Sequence, residues 1–151
     1  MKVPIPPRLH VLLARKAPVG VIIRRGPSKW SQLIKWNMRT DEFERGQWVR
    51  ARIYERSSDL SPNGKKLVYF ALNGKWNSEA RGTYTAISRP PYWTALALWP
   101  VGDTWGGGGL FIDDQTLYLD RRERGMLGTL PPPFGLAEDC PFFPGEGYEC
   151  R

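Results

Sequence analysis

The adjacent carboxylates Asp113-Asp114 are the most obvious candidates for chemistry in this 151-residue sequence. A carboxylate pair can act as general acid and base when its surroundings push the two pKa values apart. The pair follows Leu110-Phe111-Ile112 and precedes Leu117-Tyr118-Leu119, so it falls where a hairpin would turn. Asp is favoured in turns because its side chain hydrogen-bonds nearby backbone groups. The sequence therefore predicts a turn at this position.

The other candidates for catalysis lack the residues that would complete a site. His10 is the only histidine, and it stands in a proline-rich basic segment without a nucleophile and base around it. The four glycines 106 to 109 have the composition of a phosphate-binding loop, but neither a Lys-Ser/Thr pair nor a predicted helix follows them. We expect them to allow a crowded backbone beside Trp105. We predict no enzyme, and a carboxylate-only hydrolase is the alternative.

The two cysteines, Cys140 and Cys150, lie in a Pro/Gly-rich C-terminal segment. A zinc site would need two further soft ligands at compatible spacing, and His10 is far away in sequence. We therefore predict no metal and no cofactor. Few cysteines are typical of a reducing compartment, so we expect two free thiols, with a disulfide closing the segment as the alternative.

Charge is distributed unevenly along a chain of net charge +7. Residues 1–58 carry a net charge of +9, residues 59–105 of +2 and residues 106–151 of −4. A basic region of this kind attracts a polyanion, such as nucleic acid or an acidic protein surface. The alternative is a solvated basic face without a ligand, or one that the acidic tail folds back on.

Seven basic residues form the candidate polyanion-binding set. Arg50 and Arg52 alternate with aliphatic residues, which predicts a strand with both arginines on its outer side. Arginines interleaved with exposed tryptophans would suit single-stranded nucleic acid, although no local signature of a known nucleic-acid module is present. Packing in the core is the alternative for the tryptophans. The set is Arg24, Arg25, Lys29, Lys35, Arg50, Arg52 and Arg56.

The elements that would position these residues are short strands. Apolar runs of four to eight residues, separated by Gly, Pro, Asn and Asp, are typical of antiparallel β-structure. The heptapeptide from Trp30 to Trp36 returns as Trp93 to Trp99, with Trp, a hydroxyl residue, Leu and Trp at the same spacing. Strands and turns around the two copies recur in the same order, which predicts two four-stranded antiparallel units at 19–73 and 84–121. A short helix over 30–37 is the alternative for the first copy.

Ser61-Pro62-Asn63-Gly64 predicts a hairpin turn, with Pro62 at its second position and Gly64 left-handed. This turn, between strands that end in Trp, resembles the blades of TolB-like and WD-type β-propellers. The run from Gly46-Gln47-Trp48 to Tyr69-Phe70-Ala71 also resembles uncharacterised bacterial proteins. A ring needs about four or more blades, and only two units are present. We therefore expect two blade-like units packed as a sandwich, a distorted barrel or a partial propeller.

These features predict a β domain at 19–121 between a Pro-rich basic arm at 1–18 and a Pro/Gly-rich acidic tail at 122–151. We expect the arm and the tail to wrap the sheets or to dock on a neighbour. The leading hypothesis is a non-catalytic interaction module, a small subunit of a larger assembly that binds a protein partner or self-associates. A nucleic-acid-binding accessory domain is the alternative, and an enzyme of unrecognised type is the third.

The sequence predicts no membrane partner, because no apolar run approaches the ~20 residues of a membrane span. The N-terminus has too many prolines and basic residues for a signal peptide. We therefore expect a cytoplasmic protein.

Overall fold

The computed structural model describes residues 7–121 and 124–138, and nearly all of their regular structure is β-strand. These residues contain no α-helix and a single 3-10 turn, Glu55–Ser57. The predicted mostly-β class is confirmed. The strands are β1 (Arg8–Leu13), β2 (Val19–Arg25), β3 (Trp30–Asn37), β4 (Glu42–Arg50), β5 (Arg52–Ile53), β6 (Asp59–Leu60), β7 (Leu67–Leu72), β8 (Thr83–Ser88), β9 (Ala95–Pro100), β10 (Gly109–Phe111), β11 (Thr116–Leu119), β12 (Leu127–Gly128) and β13 (Gly135–Ala137).

Three sheets form three packed layers. The front sheet is the antiparallel meander β1-β2-β3-β4, and the central sheet has the order β12-β9-β8-β7-β5, with β6 also paired to β7. The back sheet has the order β10-β11-β13, in which β11 and β13 are parallel. One core cluster joins the front sheet to the central sheet, and a second joins the central sheet to the back sheet. The packing is sandwich-like.

The two innermost strands of the central sheet, β7 and β8, are covered on both faces and carry no charged residue. All six residues of β8 and the first five of β7 are buried. In β7, Tyr69 packs toward the front sheet and Val68 toward the back sheet. A strand covered on one side only would alternate apolar with polar residues, whereas β7 is apolar throughout and the polar residues buried in β8 are the hydroxyl side chains of Thr83, Thr85 and Ser88.

Two local predictions are confirmed. Residues 30–37 form strand β3, because this segment pairs along its length with both β2 and β4. The Ser61 to Gly64 segment is a turn, in which the Gly64 N–H donates to the Ser61 carbonyl oxygen at 2.8 Å. Gly64 has φ of +74°, the left-handed conformation that glycine adopts without a steric cost.

The two Trp-ended heptapeptides lie in different settings. The first is part of β3 in the front sheet, and its Trp30 is exposed, whereas Trp93 and Trp99 of the second are buried in the central sheet and its neighbourhood. The strands of the two predicted units are also divided differently, into sheets of four, six and three. The division follows from Ala51, where the chain leaves β4 of the front sheet and enters β5 of the central sheet.

The terminal segments add strands to the sheets. β1 lies within the predicted N-terminal arm and pairs with β2 from Arg8 to Leu13, with Leu9, Val11 and Leu13 on its exposed side. In the tail, β12 pairs with β9 and β13 pairs with β11. Cys140 and Cys150, with the predictions made for them, lie outside the described residues. No helix that could cross a bilayer occurs in the part of the chain that the structure describes.

Candidate functional site

The solvent side of the front sheet is mainly apolar, and we call it the outer face. Side chains alternate along each strand, so that Val21, Ile23 and Leu33 enter the core while their neighbours point away from it. By this alternation and the strand register, the outer face consists of Leu9, Val11, Leu13, Gly20, Ile22, Arg24, Trp30, Gln32, Ile34, Trp36, Phe43, Arg45, Trp48 and Arg50.

Large apolar side chains on the outer face are strongly exposed. Leu9 is 63% exposed, and Leu13 and Phe43 are each 54% exposed. Val11 and Trp48 are exposed as well. Scattered apolar residues are normal on a protein surface, but a contiguous apolar patch marks an interaction site.

One end of the outer face is an ordered aromatic surface. Trp36 stacks on Phe43 with a centroid distance of 5.6 Å and an interplanar angle of 14°. The Trp36 Nε1–H donates to Asp41 Oδ1 at 2.9 Å, which fixes the indole in its plane. Gly20 lies opposite Trp36 in the β2–β3 ladder, and a Cβ at Gly20 would lie 3.3 Å from the Trp36 ring. The rings are therefore held in place before any partner binds.

The other end of the outer face combines tryptophan with arginine. The Arg24 guanidinium carbon lies 5.9 Å from the centroid of the Trp48 ring, at the outer limit of a cation–π contact. Arg50 lies opposite Trp30 across the β3–β4 ladder. The charged residues that the four strands place on this face are Arg24, Arg45 and Arg50, so the face is basic as well as apolar.

A second candidate site is a cleft of about 480 Å³ between the front and central sheets, which we call the basic cleft. The β2–β3 turn supplies Ser28 and Lys29, and the end of β2 supplies Arg25. The β5 edge supplies Arg52, and the segment after β7 supplies Trp76. The volume lies within the roughly 300–1,000 Å³ of small-molecule sites.

The seven predicted polyanion-binding residues do not form one surface. Arg25, Lys29 and Arg52 line the basic cleft, while Arg24 and Arg50 lie on the outer face. Two others lie elsewhere. Lys35 is opposite Glu44 in the β3–β4 ladder and shares a hollow with Glu42, and Arg56 is in the 3-10 turn.

The predicted alternation around Arg50 and Arg52 holds, although the strand is interrupted. Ala51 and Ile53 are buried and both arginines are exposed. Because the chain changes sheets at Ala51, Arg50 ends β4 and Arg52 begins β5. Of the two arginines, Arg52 is the one that lines the basic cleft.

The predicted turn at Asp113-Asp114 is confirmed. Asp113 Oδ1 accepts from the Gln115 N–H at 2.8 Å, and this backbone bond is the largest cause that lowers the pKa of Asp113. Asp114 Oδ1 accepts from the Asn63 N–H at 2.8 Å and so ties this turn to the Ser61–Gly64 turn. Both carboxylates therefore stabilise turns by accepting hydrogen bonds from backbone N–H groups.

The glycines 106 to 109 lie in a crowded segment, as predicted. A Cβ on Gly108 would lie 2.0 Å from the Ser57 carbonyl oxygen, and Gly108 has φ of +86°. The N–H of Gly107 donates to Asp120 Oδ2 at 3.0 Å, and that of Gly108 donates to Thr85 Oγ1 at 2.8 Å. These two N–H groups therefore already have hydrogen-bond acceptors within the protein.

Three buried or half-buried titratable groups lie away from both surfaces. Burial raises the pKa of Asp59, against the lowering effects of the Phe111 N–H, which donates to it at 2.7 Å, and of Arg15. Burial also raises the pKa of Tyr69 well above its usual value and raises that of Tyr84. Within the described residues, no group of three or more His, Cys, Asp or Glu is placed to hold a metal ion.

Sequence reasoning missed several residues that shape these surfaces, among them Leu9, Val11, Leu13, Gln47 and Trp76. Gln47 Oε1 accepts from the N–H of Trp93 at 2.7 Å and from the N–H of Thr94 at 3.0 Å, and so clamps the segment before β9 to β4. Trp76 stands beside the basic cleft although it lies outside every strand. Its context, Asn73-Gly74-Lys75-Trp76, shows a turn but gives no sign of which surface the turn joins.

No protein-family model, no curated protein and no solved structure matches this chain. The resemblance to propeller blades therefore stays a prediction.

Proposed function

We propose that this protein is a non-catalytic interaction module, a small subunit or accessory of a larger protein assembly. The observation that supports this most directly is the outer face, where large aliphatic and aromatic side chains stand in solvent on a rigid sheet. Exposing such a patch is unfavourable, and burying it contributes about 25 cal/mol for each Å² of apolar surface removed from water. A partner that covers the face gains this contribution.

The chemistry of the outer face favours a protein partner with an apolar surface and carboxylates around it. Leu9, Val11 and Leu13 form an aliphatic row along β1, which offers hydrophobic contact but no stacking surface for a base. Arg24, Arg45 and Arg50 would repel the same residues of a second copy and attract acidic groups. Among the described strands, β1 is also an edge of its sheet, open to pairing with a strand of the partner.

The experiment is affinity capture from the native host with the full chain as bait, followed by identification of the partner and direct binding of the two purified proteins. The test variant is Phe43→Asp with Leu9→Asp, which places two charges on the outer face. The control is Trp105→Asp, because Trp105 is 85% exposed and lies in the segment between β9 and β10. Thermal unfolding of each variant verifies that it folds.

We expect the wild type and the control to bind the purified partner, and the double variant to lose binding by at least 10-fold, since charges would be buried without partners. A partner that binds the double variant as tightly as the wild type would refute the proposal. If light scattering shows that the wild type is a homodimer and the double variant is a monomer, the partner on the outer face is a second copy of this chain and not a different protein. Strong binding of single-stranded nucleic acid to the outer face would favour the alternative function.

A cytoplasmic location is part of the proposal. It is supported by the composition, with two cysteines in 151 residues. Fluorescence microscopy of the tagged chain in its host would check it.

A further inference from the structure

The basic cleft concentrates positive charge beside an exposed indole. Arg25, Lys29 and Arg52 line it, and its described lining residues include no carboxylate. Glu55 is the acidic group next to it, and it pairs with Arg25 at 3.2 Å. Lys29 and Arg52 are exposed and have no acidic partner of this kind among the described residues. A net positive cleft between two sheets attracts anions.

The arginines of the basic cleft are held in position. Arg25 Nη2 donates to the Ile53 carbonyl oxygen at 3.3 Å in addition to its pair with Glu55. The Arg52 guanidinium carbon lies 4.9 Å from the centroid of the Tyr54 ring, which restrains the side chain while its N–H groups stay free to donate. Donors that are fixed before binding lose less entropy when a phosphate arrives.

The aromatic wall is also fixed. Trp76 packs against the Gly82 backbone so closely that a Cβ on Gly82 would lie 2.3 Å from the indole. The Asn73 and Gly74 N–H groups both donate to the Gly82 carbonyl oxygen, which closes the segment that carries Trp76. The indole is nevertheless 51% exposed. A large aromatic ring held by the backbone and left in solvent suits stacking with a planar ligand.

We propose that the basic cleft binds a phosphorylated nucleoside, with its phosphate at Lys29 and Arg52 and its base stacked on Trp76. Both parts of the ligand are needed, because the cations recognise the phosphate and the indole recognises the base. The ligand is either a free mononucleotide or one unit of a single-stranded nucleic acid. The cleft is separate from the outer face, so this inference does not depend on the proposed protein partner.

The test measures binding of the full chain to three probes: thymidine monophosphate, a fluorescent ten-residue oligothymidylate, and inorganic phosphate. Anisotropy reports the oligonucleotide at several salt concentrations, and competition reports the other two. We expect the nucleotide, the oligonucleotide or both to bind, and inorganic phosphate to compete more weakly than the nucleotide. Tighter binding of the oligonucleotide assigns a single-stranded nucleic acid, and equal binding assigns a mononucleotide.

The variants separate the two parts of the site. Trp76→Leu is expected to weaken binding by about 5- to 150-fold, the loss of one stacked base, and Trp76→Phe to restore part of it. Lys29→Gln and Arg52→Gln are expected to weaken binding and, for the oligonucleotide, each to lower the slope of log K against log salt by about 0.7. Arg25 is left unchanged because its side chain joins the two sheets.

Matched controls lie off the cleft. Lys35→Gln removes a cation that faces Glu44, and Trp105→Leu removes a more exposed indole. Neither should change affinity by more than about twofold, and thermal unfolding verifies that every variant folds. The inference is overturned if neither nucleotide nor oligonucleotide binds, or if the controls weaken binding as much as the cleft variants. It is also overturned if Trp76→Leu has no effect, since binding would then depend on charge alone.

Discussion

Replacing Tyr69 with Phe removes one buried hydroxyl and tests how the front and central sheets are joined. The Tyr69 hydroxyl donates to the Trp93 carbonyl oxygen, and both residues are buried in the same core cluster. The ring of Tyr69 also packs edge-on against that of Trp93, with 4.9 Å between centroids. Phe keeps the ring contact and deletes the hydroxyl, which donates to the Trp93 carbonyl oxygen and also interacts with the Tyr84 side chain.

The expected cost of Tyr69→Phe follows from what the change leaves behind. The Trp93 carbonyl oxygen loses its buried donor where water does not reach, since Trp93 is 3% exposed. Leaving such a group unsatisfied costs about 1–3 kcal/mol. For a protein of this size, each kcal/mol lowers Tm by about 2–4 °C. Urea unfolding at pH 7, followed by fluorescence and circular dichroism, measures the free energy of unfolding directly.

The pH dependence gives a second, independent readout. Burial raises the pKa of Tyr69 in the folded state above the value of about 10 expected on unfolding. A raised pKa contributes stability that is present below about pH 10 and is lost as the pH rises toward the folded value. Wild-type stability should therefore fall between pH 9 and pH 11, and it should fall less in Tyr69→Phe.

Tyr84→Phe is the companion variant, because the Tyr84 side chain interacts with that of Tyr69. Tyr84 belongs to the same cluster but is more exposed than Tyr69, and burial raises its pKa as well. We expect it to lose less stability than Tyr69→Phe at pH 7. The reasoning is refuted if Tyr69→Phe is as stable as the wild type at pH 7, or if its decline above pH 9 is no shallower.

Substitutions at three further positions test other parts of the packing. Burial raises the pKa of Asp59, so the stability linked to its protonation is present below about pH 4 and is lost as the pH rises through the folded value. Asp59→Asn keeps an acceptor for the Phe111 N–H, and it should therefore gain more stability at pH 7 than at pH 3. Asp59→Ala should lose about 1–3 kcal/mol, and urea unfolding measures both variants. Gly46→Ala would place a Cβ 1.9 Å from the Pro91 carbonyl oxygen, and a loss of several kcal/mol is expected in thermal unfolding; a Tm within 2 °C of wild type would contradict this close approach. The buried Ser88 Oγ has no hydrogen-bond partner among the described residues, so Ser88→Ala should be neutral or stabilising by up to about 1 kcal/mol, and a marked loss of stability by the same assay would reveal a partner.

The fold class and the turns could be predicted because their signals are local. Pro62 and Gly64 favour a turn through their own backbone conformations, and Asp113 accepts a hydrogen bond from Gln115, two residues further along the chain. The assignment of strands to sheets could not be predicted in this way. Nothing in the residues around Ala51 distinguishes a strand that continues in one sheet from one that crosses to another, since both bury the same alternate side chains.

The candidate surfaces could likewise be predicted only in part. The sequence placed Arg25, Lys29 and Arg52 in one basic set, but the cleft also needs Trp76, whose position depends on the packing of its turn against Gly82. The heptapeptide repeat was misleading for a related reason. Trp30 and Trp36 both lie in β3, whereas Trp93 precedes β9 and Trp99 lies within it, so the Trp spacing alone determines neither the strand nor the burial.

The front sheet ends at Arg50, before any strand of the central sheet has begun. A ribosome that adds about 5–20 residues each second needs roughly 3–10 s to extend the chain from there to the end of β9. During that interval the meander of β1 to β4 has aliphatic side chains uncovered on both of its sides. Nascent chains of this protein should therefore be good clients for chaperones that recognise apolar segments, and chains truncated near Arg50 should aggregate.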